Sequence, residues 1–139
     1  MQKIVNMNNM NEIKKILEKS VSIAVVGLSP KENRPSNQVS RYLIDAGYTI
    51  IPVNPGHTEI LGKTCYSSLT EYNEQVDIVD IFRRSEDVLP IVEEAIAIGA
   101  KVVWMQLGIV NHQAAARAEE AGLAVIMDRC IKIDHNELF

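Results

Sequence analysis

Ser22-Ile23-Ala24-Val25-Val26-Gly27-Leu28-Ser29-Pro30-Lys31-Glu32-Asn33-Arg34-Pro35-Ser36 is the stretch that decides the fold. Residues 22–27 form a short, continuous, β-branched run closed by glycine. That is the pattern of a strand buried on both faces. Residues 37–46 follow with Val39, Leu43 and Ile44 on one side, a helical spacing, with Ser36 as the predicted cap and Gly47 as the stop. A second strand is predicted over residues 48–53, and its Pro52 points to a sheet edge or an irregular end.

Outward from this unit the two periods keep alternating. Residues 8–19 place Met10, Ile13, Ile16 and Leu17 at helical spacing. Asn54-Pro55-Gly56 is a turn cluster, and residues 69–74 predict a short helix. A third main strand covers 76–82, made less apolar by Asp77 and Asp80. A helix over 87–98 ends at Gly99, and a fourth strand covers 101–106. A helix over 113–121 ends at Gly122, and a fifth strand covers 123–127. The polar residues 128–139 have no assignable pattern. Strands alternating with helices imply a three-layer α/β sandwich: a parallel sheet of about five strands with helices on both faces. The chain reads as one domain, with a leading helix in 1–20, a core over 21–130 and a tail over 131–139.

Composition narrows the function. The 139 residues are 47% hydrophobic and 23% charged, with a net charge of −4. That is a globular composition, and the acidic balance argues against a general nucleic-acid binder. No apolar run approaches the ~20 residues needed to span a bilayer, and residues 1–20 lack the apolar core of a signal peptide. Two cysteines, Cys65 and Cys130, give no disulfide framework, so a reduced cytoplasmic protein is expected. Residues 1–69 carry a net +3 and residues 70–139 a net −7. A basic half in an acidic chain suits a phosphorylated ligand, and equally a chance split of surface charge.

Ligands of parallel α/β sheets sit beyond the C-terminal ends of the strands, so the residues there are the candidates. After the first strand, Gly27 stands without the partners of a G-x-G-x-x-G fingerprint, and no phosphate loop of the G-x-x-x-x-G-K-[ST] type is present. The loop instead holds Ser29, Pro30, Lys31, Arg34, Pro35 and Ser36. After the second strand, Val53-Asn54-Pro55 offers no acid for a ribose 2′-hydroxyl, and the first acid is Glu59. Both departures weigh against an NAD(P)-linked enzyme. Phe82, Arg83 and Arg84 follow the third strand, with cations placed either for a phosphate or for solvent. Gln106-Leu107-Gly108 follow the fourth, where glycine permits close approach. Trp104 reads as core. His57, His112 and His135 have no metal-ligand spacing. Cys65 reads as buried. Cys130 follows the fifth strand beside Arg129, which leaves it either structural or a thiolate that attacks the disulfide form of a thiol ligand to give a mixed disulfide, releasing one thiol, a reaction not expected of Cys65.

The ordered series I-A-V-V-G-L-S-P (23–30), R-P-S-N-Q-V (34–39), Y-L-I-D-A-G-Y (42–48), I-P-V-N-P (51–55), G-K-T-C-Y-S-S-L (62–69), A-K-V-V-W-M-Q (100–106), E-E-A-G-L (119–123) and D-R-C (128–130) resembles the small stand-alone CoA-binding domain family. That family is similar to the N-terminal Rossmann-like domain of the succinyl-CoA synthetase α subunit. The resemblance implies a Rossmann-like fold, and CoA or acyl-CoA as a small-molecule ligand. It implies that Gly27, Ser29, Pro30, Arg34, Pro35 and Ser36 hold the CoA phosphates. Val53, Asn54 and Pro55 would line the adenosine side, Phe82 and Arg83 would lie beside the nucleotide, and Gln106, Leu107 and Gly108 would face the pantetheine arm. The synthetases carry a lysine soon after the second strand, where this chain has His57. Their phosphohistidine lies in a second domain, so the resemblance implies a binding module that is not itself catalytic.

Overall fold

The computed structural model describes residues 9–139. Asn9 caps α1 (Met10–Lys19) by accepting the Glu12 backbone N–H, and the helix buries Ile13 and Leu17. The expected leading helix is therefore present, although Asn8 lies outside the described residues. β1 (Ser22–Val26) is buried along its whole length and leads through the first loop into α2 (Pro35–Asp45). β2 (Thr49–Val53) is followed by a small antiparallel hairpin, β3 (Glu59–Ile60) and β4 (Lys63–Thr64), which the sequence did not disclose. Then come β5 (Ile78–Ile81), α3 (Val88–Ala97), β6 (Val102–Met105), α4 (His112–Glu120), β7 (Ala124–Ile126) and α5 (Ile131–Leu138).

Five strands form one parallel sheet in the order β2-β1-β5-β6-β7. This is the predicted Rossmann-like α/β fold. After β2 the chain crosses back over β1, so strand order reverses between β1 and β5. The loops leaving those two strands diverge there and open a crevice. Pro52 does lie in an edge strand. The edge is covered by the segment after β4, where the Tyr66 N–H donates to the Pro52 carbonyl at 3.0 Å and the Asn54 N–H to the Tyr66 carbonyl at 2.8 Å.

Both faces of the sheet are apolar, which is why the strands read as continuous runs. Val26, Ile51, Val79, Val103 and Val125 pack against Val88, Val92 and Ala95 of α3 and Ala114, Ala115 and Ala118 of α4. Ile23, Val25, Ile50, Ile78 and Trp104 pack against Leu17 of α1, Val39 and Leu43 of α2 and Ile131 of α5. Trp104 is core as expected, and its indole N–H donates to the Arg129 carbonyl at 2.8 Å.

Two expectations need correction. Ser36 is not the cap of α2. Arg34 holds that position and Pro35 begins the helix, because a fixed φ and a missing N–H suit the first helical residue. Residues 69–74 form only a single 3-10 turn at Leu69–Glu71. The C-terminal residues, whose sequence carries no assignable pattern, form α5, which packs beside α1 and α2. Elsewhere the predicted ends shift by one or two residues. Among the described residues, no helix is long and apolar enough to cross a membrane.

Candidate functional site

The crevice at the strand-order reversal begins with Gly27. Its N–H donates to the Val53 carbonyl and the Phe82 N–H to the Val26 carbonyl, each at 2.8 Å, so the ends of β1, β2 and β5 are tied together. Gly27 has φ +91°, and a Cβ there would collide with the Phe82 carbonyl oxygen. Only glycine fits that junction.

Side chains of α2 shape the first loop. The Ser29 N–H donates to Ser36 Oγ at 2.9 Å, and Asn37 Nδ2 donates to the Ser29 carbonyl at 2.9 Å. The Lys31 N–H donates to Ser29 Oγ at 3.1 Å. Arg41 then bonds both Asn37 Oδ1 and the Glu32 carbonyl. Ser36 thus acts through the loop and not through its own helix end. On the opposite wall, Asn54 Nδ2 donates to the Leu28 carbonyl at 2.9 Å, while Asn54 Oδ1 accepts from Arg83 Nη2 at 3.4 Å.

The result is a cavity of about 450 Å³ lined by Gly27, Ser29, Pro30, Lys31, Arg34, Pro35, Ser36, Asn54, His57, Phe82 and Arg83. Among the described residues, three cations, Lys31, Arg34 and Arg83, line it and no carboxylate does. An anion is the chemistry this lining accommodates. Nine of the residues singled out from the sequence meet here. Lys31 and His57 are the additions. Lys31 was visible as a loop cation, and His57 as the residue standing where the resembling synthetases carry a lysine.

Val53 and Pro55 lie elsewhere. With Val26, Leu69, Ile91 and Glu94 they line a smaller cavity of about 140 Å³, which also takes in Ser67 and Ser68. Arg83 lines both cavities. Glu94 accepts the Leu69 N–H at 2.9 Å. Ser67, Ser68, Leu69, Ile91 and Glu94 carry no sequence signal of a site, because the fold gathers them from separate elements.

Gln106, Leu107, Gly108 and Cys130 line neither cavity. Gln106 is buried, and its Oε1 accepts the Ile131 N–H at 3.1 Å, joining β6 to the start of α5. Leu107 is exposed, and the Gly108 N–H donates to Asp128 Oδ1 at 2.6 Å. Cys130 is the half-buried cap residue of α5. The neighbouring Arg129 bonds both oxygens of Asp134, at 2.7 and 2.8 Å, and so its charge is shared with that carboxylate. Cys65 is buried as expected; burial pushes its thiol up, against a smaller opposing effect of its bond to the Asn54 carbonyl. A wider groove of about 680 Å³ lies at the other end of the strands, between residues 72–75 and 98–101. Glu74 faces it together with Lys101, so it lacks the converging cations of the crevice.

The family model described as "CoA binding domain" matches residues 21–136. The chain belongs to that family. This CoA-binding domain is 50% identical over 124 residues to "Uncharacterized protein YneT" of Bacillus subtilis, covering 89% of this chain and 92% of that one. It is 28% identical over 126 residues to "Acetate--CoA ligase [ADP-forming] I" of Archaeoglobus fulgidus, covering 84% of this chain but only 18% of the ligase. Among solved structures, a "hypothetical protein from Pyrococcus horikoshii OT3" superposes with a TM-score of 0.92 at 38% identity, covering 99% of each chain. The CoA-binding domain thus matches both stand-alone proteins and one portion of a much longer ligase.

Proposed function

We propose that this domain binds CoA or an acyl-CoA thioester in the cytosol and contributes no catalytic group of its own. The observation that carries the proposal is the convergence of Lys31, Arg34 and Arg83 on a carboxylate-free cavity at the strand-order reversal. CoA combines phosphates, a purine and a long thiol-bearing arm. Its phosphates suit the larger cavity. Its purine suits the smaller one, where Val26, Val53, Pro55 and Ile91 offer apolar contact beside Arg83. The arm runs along the same sheet edge towards Gln106, Leu107 and Gly108, which follow β6. Free thiols at Cys65 and Cys130 suit a reducing compartment.

Calorimetric titration with CoA and with NAD tests the proposal. CoA should bind far more tightly, since neither a G-x-G-x-x-G loop nor an acid after β2 is present to hold NAD. Equal or tighter binding of NAD would overturn it.

A further inference from the structure

We infer that His135 makes the docking of α5 acid-sensitive: when its imidazole takes up a proton, the helix loosens from α2 and α1. The inference goes beyond the proposed function and does not depend on it. His135 is half-buried in the second half of α5, where that helix meets its neighbours. The Tyr42 hydroxyl of α2 shares a hydrogen bond with His135 Nδ1 at 2.8 Å. The Tyr42 and Tyr48 rings make T-shaped contacts with the imidazole, with centroids at 5.4 and 5.6 Å, and Phe139 stacks on it at 4.7 Å. The Tyr48 hydroxyl in turn donates to the Leu17 carbonyl of α1 at 2.6 Å. The imidazole thus ties α5 to α2 directly and to α1 through Tyr48. Apolar anchoring of the helix is thin, since Ile131 is fully buried but Ile133 is 51% exposed.

The charges around the imidazole leave an added proton uncompensated. Lys132 Nζ of α5 sits over the Tyr42 ring and Lys14 Nζ of α1 over the Phe139 ring, each 5.7 Å from the centroid. Asp134 and Glu137 of α5 act on Arg129, and Glu18 of α1 lines the groove beside Tyr48 and Phe139. Asp45 at the end of α2 is exposed. Among the described residues, none of these carboxylates forms an ion pair with His135. Both tyrosines stay neutral below about pH 8. An imidazolium here is partly removed from water, close to two ammonium groups and without a carboxylate partner. Burial accordingly holds His135 below the ordinary histidine range. Once α5 lifts, the imidazole returns to water and binds a proton at the usual pKa of about 6.5. The docked helix is therefore fully favoured above that value and loses ground as pH falls through it towards the lower docked value. Release also breaks the bond from the Ile131 N–H to Gln106 Oε1, so the event reaches the loop after β6.

Hydrogen exchange of the full chain between pH 7.5 and 5.5 tests the inference, with rates converted to protection factors so that the intrinsic pH dependence of exchange drops out. In wild type, protection across α5 should fall by about threefold or more, within the roughly tenfold per pH unit that one proton allows, while β1 and β5 keep theirs. His135→Gln retains a partner for the Tyr42 hydroxyl but does not titrate, and its α5 protection should stay level. His135→Phe retains the ring packing and should stay level too. A wild-type α5 whose protection does not fall, or a fall shared equally by β1 and β5, would overturn the inference. The same fall in His135→Gln as in wild type would also overturn it. An NMR titration of the His135 imidazole in the folded wild-type protein does not rely on any variant folding. Its pKa should lie below that of the same histidine in the urea-unfolded chain, and an equal or higher value would sink the idea.

Discussion

Arg83 stands between the two cavities, and its side-chain bond to Asn54 Oδ1, at 3.4 Å, is long and weak. Its guanidinium therefore retains donors for a ligand on either side. Arg34 is exposed at the start of α2 and lines only the larger cavity. Hydrogen bonds to charged groups contribute about 1.5–3 kcal/mol. Arg34→Ala and Arg83→Ala should each weaken CoA binding by about that amount, with the larger loss for Arg83→Ala. Neither side chain is core, so the unfolding free energy from urea titration should change by less than about 0.5 kcal/mol. Calorimetry and a urea titration on the same samples check both halves. Unchanged affinity in both variants would remove the crevice as the ligand site.

At the scale of elements, α5 shows how polar residues can hold a helix in place. Only Ile131 among its apolar residues is fully buried, while Ile133 is half exposed. Asp134 is 2% exposed and forms a two-bond ion pair with Arg129, which remains about a quarter exposed. Removing one partner of a buried pair leaves an uncompensated charge, at a cost of about 3–5 kcal/mol when fully buried. Arg129→Ala should sit near the low end, about 3 kcal/mol. The double variant Arg129→Ala/Asp134→Ala should recover part of that loss. Thermal unfolding of Arg129→Ala, Asp134→Ala and the double variant gives the comparison, and a double-variant loss equal to the sum of the two single losses would show that the pair is not coupled. This element was illegible in the sequence for the same reason: beyond Ile131, much of what fixes it is polar and comes from Arg129, from Gln106 after β6 and from Tyr42 of α2, which bonds His135 at 2.8 Å. The β3–β4 hairpin was hidden differently. Its strands are two residues long, and its turn places Leu61 at φ +57° beside Gly62, a conformation that no composition rule expects of leucine. The main strands, by contrast, were legible because two-sided burial writes itself as Ile-Ala-Val-Val and Val-Val-Trp-Met. The larger cavity was legible because it follows from strand ends. The smaller one draws on Ile91 and Glu94 of α3, which only tertiary packing brings near Val53.

At the scale of the molecule, the sheet buries the carboxyl of Asp80, and burial favours its neutral form. Asp80 lies in β5 between Val25 of β1 and Trp104 of β6, fully buried, and neither carboxyl oxygen has a hydrogen-bond partner among the described residues. Desolvation by burial raises its pKa well above the ordinary carboxylate range. The native protein therefore keeps a proton that the unfolded chain releases above about pH 4. Native binding of the extra proton makes stability fall as pH rises from about 4 towards the native pKa, by up to ~1.4 kcal/mol per pH unit. Asp80→Asn removes the titration and keeps the shape. Its stability relative to wild type should therefore climb with pH from about 4 upwards, whatever constant offset the amide introduces. Urea unfolding of both proteins at pH 4, 5, 6 and 7 measures that difference directly. A difference that stays flat across the series would mean that Asp80 is ionised in the native sheet.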